Sequence, residues 1–131
     1  MESDEKDKSD NISESVIELN RKYSYKKFDK KKIIDCIKEV TNKLEPRSIS
    51  VSNKKEKGLE ETKRFKNTNN IEKVDITPQS TISLNSGIDS MIILFRENKE
   101  VAFIIISSTN LVEVENLLSI FENKLNLELI D

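Results

Sequence analysis

The chain has 131 residues, with 35% hydrophobic and 35% charged side chains, no histidine, two glycines, one cysteine and a net charge of −2. That length suits one domain with a modest core. The missing histidine excludes Ser-His-Asp, Cys-His and His-ligated metal chemistry. Gly58 and Gly87 lie too far apart for a phosphate-cradling glycine loop, and a single Cys36 excludes an internal disulfide and a thiolate zinc site.

Along the chain, residues 1–10 carry no apolar side chain after Met1 and read as a disordered charged tail. Residues 11–131 read as a single α+β domain. Asn11 and Glu14 form a capping box, and Ile12, Val16, Leu19 and Tyr23 follow at helical spacing, which predicts a helix over 12–23. A second helix is predicted over 30–44, capped by Asp29 and stopped before Pro46, with Ile33, Ile37, Val40 and Leu44 on one face. Residues 48–52 alternate as a half-buried strand, and Leu59–Phe65 is a sparse partner for it. The polar, basic segment at about 52–70 is expected to be flexible, and Ile71, Val74 and Ile76 are too irregular to assign.

Three strands then follow: Ser80–Leu84, Met91–Phe95 and Val101–Ile106, joined by Asn85-Ser86-Gly87 and Glu97-Asn98-Lys99. Short turns between such strands predict an antiparallel meander. Asn110 and Glu113 cap a last helix with Leu111, Val114, Leu118, Phe121 and Leu125 on one face, and Leu127, Leu129 and Ile130 suggest a short final strand. The expected architecture is an antiparallel sheet of four to five strands with helices packed on it.

Residues 90–125 resemble the second half of the roadblock/LC7 family, a relative of the longin and profilin-like folds. The likeness rests on strand Met91–Phe95, turn Glu97–Lys99, apolar strand Val101–Ile106 and the Asn-Leu-led helix Asn110–Leu125. The family carries a full helix between its second and third strands, whereas residues 66–79 contain Pro78 and no helical stripe. The resemblance implies a non-catalytic, dimerising platform for small GTPases, motors or signalling complexes.

Charge is divided along the chain. Residues 21–66 hold 16 Lys/Arg and 7 Asp/Glu, while residues 67–131 hold 4 and 10. The basic part includes Arg21, Lys22, Lys26, Lys27, Lys30, Lys31 and Lys32, interleaved with Tyr23, Tyr25 and Phe28. Such a patch can contact phosphates while its aromatics stack on bases, or it can be a solvated linker whose aromatics join the core. Asp35 and Glu39 lie one helical turn apart with no third metal ligand. Ser107-Ser108-Thr109 can hold an anion or simply cap a helix. Cys36 sits among apolar neighbours with no base to form a thiolate.

The strands at 91–95 and 101–106 are apolar on both faces; helices can cover one, and the other needs a self-partner, another protein or the helix over 12–23 folded back onto it. This makes a non-enzymatic protein-interaction module the leading expectation, a homodimer or a subunit of a complex, with Ile93, Phe95, Phe103 and Ile105 as partner anchors. A nucleic-acid or anionic-surface binder working through residues 21–32 and 54–66 is the alternative, and an inhibitor or immunity-type protein is a third. No cofactor is implied. No apolar run is long enough to cross a membrane and no secretory or lipidation motif is present, so a cytoplasmic location without membrane insertion is expected.

Overall fold

A computed structural model describes residues 16–87, 89–108 and 111–130. The charged tail, the Asn11–Glu14 capping box and the Thr109–Asn110 helix start lie outside the described residues. Seven strands form one sheet in the order β3-β2-β4-β5-β6-β1-β7, with every neighbouring pair antiparallel. The strands are β1 Ile17–Ser24, β2 Ser48–Lys54, β3 Glu60–Phe65, β4 Thr81–Asn85, β5 Ser90–Arg96, β6 Glu100–Ser107 and β7 Glu128–Leu129. Two helices, α1 Lys30–Leu44 and α2 Leu111–Leu125, pack on one face. The α+β class therefore holds, but the sheet has seven strands rather than four or five.

The first element corrects the expected helix over 12–23. Ile17–Ser24 is a strand, paired residue for residue with β6 from Ile17 opposite Ser107 to Ser24 opposite Glu100. Leu19 and Tyr23 fit a helical stripe and a two-residue alternation equally well. With Ile17 they form the inward row of a strand. The deciding partner is β6, the most apolar strand, which lies about 80 residues further along and offers a full ladder.

The remaining elements follow local rules. Asp29 caps α1, its Oδ1 accepting from the Lys32 N–H at 3.2 Å. Glu45 ends the helix in the left-handed region at φ 50°, its N–H donating to the Thr41 carbonyl at 2.8 Å, and Pro46 prevents further winding. The β4–β5 connection needs Gly87 at φ 93°, and the Ser86 N–H closes onto the Asp89 carbonyl at 2.8 Å. β4, β5 and β6 form the expected meander.

Residues 52–70 hold the end of β2, a turn and β3, whose charged residues occupy the outer edge of the sheet. The next segment crosses back to β4 over the helix side, because Ile71, Val74 and Ile76 join the same core. A short 3-10 turn, Ile71–Lys73, lies there, and Glu72 meets Lys38 of α1 at 2.8 Å.

The core lies between the helices and alternate sheet residues. Val51, Ile82, Ile93 and Phe103 form one cross-strand row, and Ile49, Leu84, Met91 and Ile105 the next. From α1 come Ile33, Ile37 and Val40, and from α2 Val114, Leu117, Leu118 and Phe121. Phe103 packs against Phe121 with centroids 4.9 Å apart and planes tilted by 54°, and meets the Tyr23 ring edge-on at 5.7 Å. No helix among the described residues is long and apolar enough to cross a membrane.

Candidate interaction surface

The strand pleat sends the other half of β5 and β6 to the face away from the two helices. Ile92 and Leu94 on β5, and Ala102, Ile104 and Ile106 on β6, are of intermediate exposure and do not pack against the core cluster. Register makes them contiguous: Ile92 lies opposite Ile104 and Leu94 opposite Ala102. Small polar residues flank them, Thr81 and Ser83 on β4 and then Ser50 and Ser52 on β2. On the other side, β1 presents Glu18, Asn20 and Lys22 beside Ile106, Ile104 and Ala102. A shallow cavity of about 400 Å³, bounded by Lys54, Thr81, Leu94 and Arg96, extends the stripe at one end.

This geometry corrects the expected anchors. Ile93, Phe95, Phe103 and Ile105 are at most 5% exposed and belong to the chain's own core beneath the helices. Both strands are apolar on both faces as read from sequence. Reading them without register assigned the wrong alternate set to the outside, because a shift of one residue exchanges the two faces.

The basic residues divide into separate places. Lys22 stands on the open face of β1 beside Ala102. The Lys30 ammonium donates to the Glu72 carbonyl at 3.4 Å, and Lys31 is exposed. Lys26, Lys27 and Lys32 line a cavity of about 460 Å³ together with Lys124 from the end of α2. Sequence reading missed Lys124, which is 92 residues from Lys32 and joins the group only through the packing of α1 against α2. The second basic segment, 54–66, runs from the end of β2 through the turn and along β3. Four strands separate β3 from β1, so these two strands stand roughly 24 Å apart across the sheet, at about 4.8 Å per strand.

The aromatics between the lysines are occupied. Tyr23 is 1% exposed and its hydroxyl donates to Glu122 Oε2 at 2.5 Å. Burial, then that hydrogen bond, raises its pKa well above the ordinary tyrosine value. Tyr25 and Phe28 pack against each other and against Phe95. None of the three presents a free ring for a base to stack on, so the stacking reading of this cluster is corrected.

The remaining singled-out groups are committed locally. The Cys36 thiol is fully buried, and burial first of all pushes its pKa up to about 12, so it is not a thiolate near neutral pH. Glu39 pairs with Lys124 at 3.2 Å, and Asp35 is exposed beside it. The Ser108 N–H donates to Asp89 Oδ1 at 2.8 Å and the Ser107 hydroxyl donates to the same oxygen at 3.1 Å. The chain's own carboxylate thus stands where an external anion was considered. The chain matches no family model, no curated protein and no solved structure.

Proposed function

We propose that the protein is a non-catalytic interaction module that pairs with a second copy of itself through the open face of the sheet. One observation carries the reading: Ile92, Leu94, Ala102, Ile104 and Ile106 form a contiguous apolar stripe with which neither helix makes a core contact. Burying such a stripe is favourable at roughly 25 cal/mol per Å², and two sheet faces pack naturally at about 10 Å.

Charge placement supports a self-partner. Glu18 and Lys22 stand on the same face of β1, four residues apart. A twofold axis running across the strands, between two such faces, sets β1 antiparallel to its copy. Glu18 of each chain then lies over Lys22 of the other, an isologous arrangement. The roadblock likeness, which implies a dimerising platform, points the same way.

Size exclusion with light scattering on the full chain tests this, at low and high salt. The expected result is a dimer that survives high salt and becomes a folded monomer on Ile104→Glu. A wild-type chain that stays monomeric at high concentration overturns the self-pairing.

A further inference from the structure

The cavity between the β1–α1 connection and the end of α2 is independent of the open face. Its walls carry Lys26, Lys27, Lys32 and Lys124 against two carboxylates, Asp29 and Glu128, with Ser24 and Asn126 as neutral donors. Asp29 is already engaged, since its Oδ1 caps α1. Lys124 is paired with Glu39, but Lys26, Lys27 and Lys32 make no ion pair among the described residues.

The start of α1 sets one acid, the cap Asp29, against three lysines. A helix N-terminus favours negative side chains, yet the first turn here is Lys30-Lys31-Lys32 and contains no acid. Of these three, Lys32 lines the cavity together with Lys26, Lys27 and Lys124, and an added anion relieves their mutual repulsion. Tyr25 is part of the cavity wall and 6% exposed.

We infer that this cavity binds a compact, multiply charged phosphate anion. At about 460 Å³ it falls within the size of small-molecule sites. Lysine ammonium groups suit a phosphate as point charges. With Tyr23, Tyr25 and Phe28 all packed inside, no ring is offered to a base, so the site favours a polyphosphate over a strand of nucleic acid.

Inorganic pyrophosphate is the probe, titrated into the full chain and followed by amide chemical shifts and by tyrosine emission. The chain has two tyrosines and no tryptophan, so emission reports on Tyr23 and Tyr25 alone. Shifts are expected at 26–32 and 124–128, with affinity falling steeply as salt rises. The combined Lys26→Gln, Lys27→Gln and Lys32→Gln variant is expected to bind at least about tenfold more weakly. A control with Lys31→Gln and Lys63→Gln keeps wild-type affinity, and all these changes are at exposed positions. Absence of shifts at millimolar pyrophosphate, shifts spread evenly over the basic half, or equal weakening in the control each overturn the site. Binding to anionic vesicles without pyrophosphate binding overturns it as well, since it makes the lysines a membrane-facing patch.

Discussion

The two faces of the sheet are built from the same strands, one residue apart, and have opposite fates. On the helix side, Val101, Phe103 and Ile105 are at most 1% exposed and share one core cluster with residues of both helices and with Ile71, Val74 and Ile76. On the other side, Ala102, Ile104 and Ile106 have nearly the same chemistry and meet no core partner among the described residues. Composition therefore does not separate structural from interacting residues here. Register does, and register is set by pairings such as Phe103 with Ile93 and Arg21.

The sharpest test of that contrast is truncation on the covered side. Phe103→Ala removes a ring wedged against Tyr23 and Phe121. It is expected to cost about 3–5 kcal/mol in urea unfolding followed by circular dichroism. A loss below about 1 kcal/mol places Phe103 outside the core and reverses the assignment of faces.

Next comes the polar link beneath the same side. Tyr23→Phe deletes the bond to Glu122 and is expected to cost about 1–2 kcal/mol by the same method. It also sets a pH signature. Cys36 and Tyr23 have folded-state pKa values raised above their ordinary 9.0 and 10.0. The unfolded chain releases these protons first, so their contribution is complete below about pH 9 and is lost as pH rises further. Unfolding free energy measured from pH 8 to 11 should fall, and Tyr23→Phe should flatten the fall above pH 10. A flat wild-type profile removes the buried hydroxyl from the account.

Asp29→Ala tests the boundary between the lysine cavity and α1, and is expected to cost about 1 kcal/mol through loss of the cap. The smallest stability effect belongs to the open face. Ile104→Thr should stay within about 0.5 kcal/mol under conditions where the chain is monomeric, while shifting any self-association measured by sedimentation. A large loss for the monomer means that the open face is itself part of the core.

Much of the architecture was legible because its signals are local. Asp29, Pro46, Gly87 and the periodicity of Leu111–Leu125 place helix ends, a turn and a helix within a residue or two of where they stand. Within α2, Leu111 is half exposed while Leu117 takes a core place that the stripe did not assign. What was not legible is what distant residues decide. Ile17–Ser24 has too little local preference to choose between helix and strand, and β6 chooses for it. The lysine cavity was half visible, as a run from 26 to 32, and lacked Lys124 because only helix packing brings that residue in. The anchors on the sheet were misplaced for one reason, the parity of β5 and β6.

The pairing of β1 with β6 also constrains how the chain reaches this state. An early strand must wait for a late one, and closing a loop of some 80 residues costs entropy before any ladder bond repays it. The meander of β4, β5 and β6 can assemble from neighbours alone, so it is the natural nucleus, and β1 docks onto its finished edge. During synthesis β1 therefore emerges long before its partner exists, and the seven-stranded sheet closes only once β6, α2 and β7 have followed.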